Sequence, residues 1–184
     1  MTNFSPFRLQ TERLLLRPLA QTDVDELFAM YSDTVAMRYW SCCPWTTMLQ
    51  AEEFVEDALQ TYSDGTQIRL GLVLLGDNRL AGQCSMYGFD SQNRRAEIGY
   101  MLSRDAWGKG YMTEAMTSFI DYAFAELNLN RLEADIDPRN TRSEKLLQRL
   151  AFLKEGHFRE RWIVEGEVCN SDMYGLLKSD WEKR

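Results

Sequence analysis

Trp107-Gly108-Lys109-Gly110-Tyr111-Met112-Thr113 stands between two strongly patterned stretches, and its reading decides the fold. Upstream, Ala96-Glu97-Ile98-Gly99-Tyr100-Met101-Leu102 reads as a strand. Downstream, Ala115, Met116, Phe119, Ile120, Ala123, Phe124 and Leu127 recur at helical spacing. A glycine turn that opens a helix leaves several backbone N–H groups without carbonyl partners, all pointing one way. The positive end of the helix dipole lies behind them, so such a turn suits an anion such as a pyrophosphate. Gly108 and Gly110 let the backbone approach that anion with no Cβ in the way. A phosphate-bearing cofactor at the start of this helix is therefore the first expectation.

Two common phosphate loops do not fit the spacing. A Walker loop needs G-x-x-x-x-G-K-[ST], whereas Lys109 lies between the two glycines. A dinucleotide fingerprint needs a third glycine, and position 113 is Thr. On its own, G-K-G is also compatible with an ordinary strand-to-helix turn.

At 184 residues, with 45% apolar and 12% aromatic content, the chain can build one well-packed domain, taken as residues 1–184. No apolar run is long enough for a bilayer, and the start M-T-N-F-S-P-F-R lacks a leader's basic and apolar zones. A cytoplasmic protein with no membrane contact is expected. Cys42 and Cys43 are adjacent, Cys84 and Cys169 are isolated, and His157 is the one histidine, so no metal site is expected. A net charge of −7 argues against direct nucleic-acid binding. The acidic group Glu52, Glu53, Glu56, Asp57 and Asp64 is either a solvated helix face or an attraction for cationic substrates.

Strands are expected at Thr11 to Pro18, Gln67 to Leu75, Leu80 to Phe89, around Glu97, and at Arg131 to Asp137. Phe152 to Ile163 and Glu167 to Leu177 complete them as a hairpin around Glu165-Gly166. Helices are expected after an N-cap at Asp23, from Thr47 to Tyr62, from the glycine turn to about Asn128, and from Thr141 to Leu150. No repeat or linker divides the chain.

The ordered series A-E-I-G-Y-M-L, W-G-K-G-Y-M-T-E-A, N-R-L-E-A and D-P-R-N-T-R-S-E-K-L-L-Q-R-L-A-F resembles the GNAT superfamily of acyl-CoA-dependent N-acetyltransferases. Within it the chain is similar to the Rim-type ribosomal-protein N-terminal acetyltransferases, from T-E-R-L-L-L-R-P-L near residue 11 to L-L-K-S-D-W near the end. The resemblance implies a mixed α/β GNAT fold: a twisted, mostly antiparallel sheet of six to seven strands flanked by about four helices. It also implies acetyl-CoA as donor, a primary amine as acceptor, direct attack in a ternary complex, and a monomer or homodimer. By this likeness Trp107 to Thr113 grip the cofactor's diphosphate, and backbone N–H groups near Met101 and Leu102 pair with the pantetheine arm and the oxyanion. Met112 stands where Gly or Ala is usual, Trp107 where many members carry Gln or Arg, and Ala151 where L-G-F has its glycine.

Such a reaction must deprotonate an ammonium, stabilise an oxyanion and receive a thiolate. Glu97 is the candidate base: it points away from the face shared by Ala96, Ile98, Tyr100 and Leu102. Its segment is similar to the one that carries the base in several GNAT enzymes. Glu133, Asp135 and Asp137 on the next strand compete for the role. Many members protonate the thiolate with a tyrosine seven residues beyond the asparagine of N-x-x. Here that asparagine is Asn140 and the matching position is Leu147. Ser143 resembles the serine that Rim-type relatives place near the sulfur, and it is equally well placed as a first-turn helix residue. Asn140 fits either the cofactor's amide arm or a helix cap. Tyr39, Trp40 and Trp45 form either a wall of the acceptor site or interhelical packing. The acceptor is a protein N-terminus, as in the Rim-type enzymes, or a small amine such as a polyamine, amino acid or antibiotic. A non-catalytic acyl-CoA-binding module is the rival from another class.

Overall fold

The computed structural model describes Phe4 and residues 6–184, so the reading of the first residues as no leader falls in part outside the described residues. One eight-stranded sheet carries the chain, in the order β1-β2-β3-β4-β5-β6-β8-β7. Its strands are β1 (Leu9–Gln10), β2 (Leu14–Pro18), β3 (Gln67–Leu74), β4 (Leu80–Asp90), β5 (Arg95–Leu102), β6 (Arg131–Ile136), β7 (Leu153–Val164) and β8 (Glu167–Leu177). All neighbours are antiparallel except β5 and β6. The helices are α1 (Val24–Tyr31), α2 (Thr34–Met37), α3 (Met48–Ser63), α4 (Tyr111–Ala125), α5 (Thr141–Arg149) and α6 (Lys178–Trp181).

The sheet is thus one strand larger than the sequence pattern indicates, because Leu9–Gln10, upstream of the expected Thr11 to Pro18 strand, folds back on β2 through a turn in which Thr11 donates its amide to Leu14 O. The extra helices α2 and α6 have four residues each, too short to show a helical period. Asp33 stops α2 from being a loop: its carboxylate accepts the amides of Val35 at 2.9 Å and Ala36 at 3.2 Å.

Asp23 holds the N-cap position of α1 without capping it. Arg17 takes both of its oxygens, each at 2.7 Å, and Ala20 N–H donates to it at 2.8 Å. A bidentate guanidinium outcompetes a single backbone amide.

Two apolar clusters sit on opposite faces of the sheet. Met116, Phe119 and Ile120 of α4 are fully buried against Leu14, Ile68, Met86 and Ile98 on one face. Each such side chain stabilises the fold by about 1.5–3 kcal/mol. Leu27 of α1 and Val55 of α3 pack with Val73, Leu80 and Met101 on the other. Alternation along β5 serves both, with Ala96 and Ile98 entering the first cluster and Met101 the second.

The end of α5 answers the question raised by Ala151. Phe152 N–H donates to Leu147 O at 2.9 Å and Ala151 N–H to Gln148 O at 3.0 Å, the double bond of a Schellman cap. That cap needs a left-handed residue, and Ala151 adopts φ +64°. Ala151→Gly is therefore expected to stabilise the protein by roughly 0.5–1 kcal/mol, the left-handed strain less the added freedom of the unfolded chain. A urea titration showing a lower midpoint would contradict this.

Candidate active site

The turn between β5 and α4 keeps its donors free. Trp107 N–H reaches Arg104 O at 3.2 Å, and the next backbone amide with a carbonyl partner is that of Glu114, on Gly110 O at 3.1 Å. The amides of residues 108–113 lie between them without a protein acceptor among the described residues. Gly108 and Gly110 have φ of +75° and +81°, which lets the chain double back before the helix begins. Gly110 is the N-cap of α4 and has no side chain to fill the helix's first donors. A Cβ on Gly108 would meet nothing within 4 Å, so the outer side of the turn is open.

The neighbouring charges suit an anion. Glu114, the one acid in the first turn of α4, is turned aside. It accepts Thr11 Oγ1 at 2.6 Å and Arg13 Nε at 2.7 Å, so its charge is neutralised away from the turn. Arg13 Nη1 also fixes the Lys109 carbonyl at 2.9 Å. Met112 does not crowd the bend, because its side chain is buried in the core. The Trp107 indole donates to Leu102 O at 3.0 Å, and the Arg142 guanidinium lies 4.3 Å over its ring. Those contacts tie the turn to both β5 and α5.

Between β5 and β6 the sheet opens. They pair only through Arg95–Glu97 and Arg131–Glu133, after which β5 continues along β4 and β6 along β8. Ser103 donates its amide to Ala81 O at 2.9 Å, toward β4. Alternation then sends the Met101 amide toward β4 as well, and turns those of Tyr100 and Leu102 into the gap. Of the two amides expected at the oxyanion, only that of Leu102 faces the opening.

Glu97 is the last residue before the split, opposite Tyr87 on β4 and Glu133 on β6. A Cβ on Gly88 would stand 3.5 Å from its Oε1, so that glycine leaves the carboxylate room. Its three competitors are engaged. Glu133 accepts Arg95 Nη1 and Arg131 Nε, both at 2.7 Å. Asp135 faces Arg161 Nε at 3.4 Å, and burial still pushes its carboxyl up against that pull. Asp137 is held low despite its burial by hydrogen bonds from Arg139. Glu97 has no hydrogen-bond partner among the described residues. Burial, followed by repulsion from Glu133 and Asp135, pushes its carboxyl above the usual range, against the pull of Arg95 and Arg161. Among the described residues it is the carboxylate of these four that no arginine pairs.

Across the opening, Asn140 Oδ1 accepts Ser143 N–H at 3.2 Å, so Asn140 caps α5. Ser143 is 8% exposed. Leu147, where a tyrosine would stand, is fully buried in the core. The hydroxyls of Ser143 and Tyr100 are 2.5 Å apart, a contact that strand alternation alone did not reveal. Trp45 stacks on Tyr31 at 4.3 Å and Trp40 meets the same ring edge-on at 5.5 Å, and both keep a partly exposed edge. Tyr39 reaches out beneath Arg139, 5.7 Å from its ring, and so borders the acidic face. His157 is held by Asp172, its Nδ1 2.7 Å from Oδ1.

Residues 13–153 match the family model described as an acetyltransferase (GNAT) domain. The chain belongs to the GNAT acetyltransferase family. It is an N-acetyltransferase, and acetyl-CoA is its acetyl donor. It is 38% identical over 173 residues to an uncharacterised N-acetyltransferase, p20, of Bacillus licheniformis, covering 94% of this chain and 97% of that one. It is 28% identical to the ribosomal protein uS5-alanine N-acetyltransferase of Escherichia coli, covering 98% and 95%. It is 26% identical to the spermidine N(1)-acetyltransferase of the same organism, covering 85% and 81%. Among the described residues, no helix of this GNAT chain is long and apolar enough to cross a membrane.

Proposed function

We propose that this GNAT enzyme acetylates the N-terminal amine of a protein, with Glu97 as the base. The observation that carries this reading is the opening between β5 and β6, which joins the free amides before α4 to an unpaired carboxylate on the opposite face of the sheet. In this reading the amides of residues 108–113 hold the diphosphate of acetyl-CoA, aided by Lys109, and Asn140 and Ser143 line the far side of its arm. The amides of Tyr100 and Leu102 receive the pantetheine arm and the thioester oxygen. Glu97 takes a proton from the acceptor ammonium, and the neutral amine attacks the thioester carbon directly.

An open acceptor face favours a polypeptide over a small amine. Nearly all of β7 is exposed; its Arg161 reaches Asp135 at 3.4 Å and covers that end of the acidic face, while Glu97 stays partly open. An enclosed pocket is the usual way to bind a small molecule, whereas an open acidic trough suits a cationic chain end. The likeness to the uS5-alanine enzyme supports the same acceptor, and the spermidine relative keeps a polyamine as the second reading.

A panel of acceptors followed by free-thiol release and mass spectrometry tests this. Peptides with a free α-amine should be turned over, and the same peptides blocked at the α-amine but carrying an internal lysine should not. Faster turnover of spermidine than of every peptide would replace the proposal with the second reading. Slow thioester hydrolysis that no acceptor stimulates would overturn both.

A further inference from the structure

The Tyr100–Ser143 contact joins β5 to the first turn of α5 across the gap that β6 leaves, and the fold does not require it. Leu147 and the rest of the core already seat α5. Ser143 gives its backbone amide to Asn140, which leaves its hydroxyl free for a second role. The other nearby phenol, Tyr174, points its hydroxyl toward Glu144 Oε1 at 3.4 Å and does not compete. Between a phenol and an alkyl alcohol, the phenol is the stronger donor and the alcohol oxygen the better acceptor. Tyr100 therefore donates to Ser143 Oγ at 2.5 Å. That bond fixes the serine rotor and turns the serine's own proton away from Tyr100.

We infer that Tyr100 is a positioning residue, whose hydrogen bond makes Ser143 a donor to the sulfur of coenzyme A as the carbon–sulfur bond breaks. The inference rests on the acetyl-CoA placement proposed above. The proton that Glu97 takes from the ammonium passes to solvent before attack. The nitrogen–carbon bond then forms, the carbon–sulfur bond breaks with its electron pair on sulfur, and the amine's second proton goes to the freed Glu97 carboxylate. The thiolate leaves hydrogen-bonded and is protonated by solvent on release. Ser143 and Tyr100 give up no proton. Burial pushes the Tyr100 phenol up, which opposes a phenolate and keeps the pair as donors. The difficulty that a serine hydroxyl is too weak an acid to protonate a thiolate is thereby removed, because protonation by serine is not needed.

The deciding measurement is the titration of the coenzyme A thiol bound to the intact protein, read from the ultraviolet absorption of its thiolate. Calorimetric affinity and steady-state kcat and KM accompany it. Wild-type protein should lower the bound thiol's pKa by about one to two pH units relative to free coenzyme A, the worth of a hydrogen bond to a charged group. Tyr100→Phe and Ser143→Ala should each abolish most of that shift and lower kcat roughly tenfold or more, with coenzyme A affinity and acceptor KM little changed. The double variant should lose no more than either single one, as two residues acting through one bond require. A thiol titration unchanged by Tyr100→Phe overturns the inference, whatever happens to kcat. Should that variant not fold, an unchanged titration in Ser143→Ala does so instead. Wild-type protein that fails to bind coenzyme A removes the underlying placement, an outcome distinct from binding with an unshifted thiol.

Discussion

Gly110→Asp is expected to abolish the rise in melting temperature that acetyl-CoA gives the wild-type protein. The substitution places a carboxylate at the N-cap of α4, where Asp is among the preferred capping residues. It would accept the amides of residues 112 and 113 that are otherwise without a protein acceptor. The helix gains an internal anion and loses the capacity for an external one. At φ +81° any side chain is strained by about 1–2 kcal/mol, with Asp and Asn the most tolerant, and the gained cap offsets part of that. The apo protein should therefore fold.

Losing two charge-assisted bonds at about 1.5 kcal/mol each lowers affinity roughly a hundredfold. At a ligand concentration of 100 Kd, the stabilisation would fall from about 2.7 kcal/mol to about 0.4 kcal/mol. Gly110→Ala controls for the strain, since its Cβ is 3.4 Å from a flexible Arg13 nitrogen and adds no charge. It should keep most of the shift. Differential scanning calorimetry showing a full shift in Gly110→Asp would remove the diphosphate from this turn.

Glu97→Gln is the second large effect, with kcat down about 10²–10³-fold and KM for acetyl-CoA nearly constant. The sign of the accompanying pH dependence follows from the raised carboxyl. Below its pKa the group is protonated and cannot take a proton, so the acid limb of kcat/KM lies above the ordinary glutamate range. Glu97→Gln should flatten that limb. Arg161→Ala, which removes a nearby positive charge, should move it to higher pH.

Stability runs the other way. A carboxyl whose folded pKa exceeds its unfolded one stabilises the protein at low pH, and that contribution is lost as pH rises through the folded value. At neutral pH the ionised Glu97 is a burden, so Glu97→Gln should melt higher there, with the advantage shrinking in acid. Unchanged kcat across the pH range would exclude Glu97 as the base, whereas a loss of kcat with no change in the acid limb would assign it a positional role only.

The correspondence between the sequence pattern and the structure follows interaction range. The glycine turn, β5 and α4 were legible because their periods and the missing Cβ atoms are local properties. The same holds for Asn140 as a cap, three residues from the amide it serves. Asp23 shows the limit of local reasoning: its position predicts a cap, and Arg17 claims its carboxylate instead. Trp40 and Trp45 read equally well as wall or packing, and only the fold brings Tyr31 beside both. Met101 and Leu102 read alike for the oxyanion in the sequence, and strand pairing sets which of their amides faces the gap.

From sequence, then, came the resemblance to the GNAT fold, the glycine turn that opens α4, and Glu97 on the strand face opposite Ala96 and Ile98. These depend on the near order of side chains along a strand or helix, which a linear pattern records. Only the tertiary structure decided that Glu133, Asp135 and Asp137 are occupied by arginines while Glu97 is free, that β5 and β6 part after Glu97, and that Tyr100 meets Ser143 across forty-three positions of chain. Those outcomes are competitions among distant groups for the same charge or hydrogen bond, and they are settled only when folding brings all the competitors within reach.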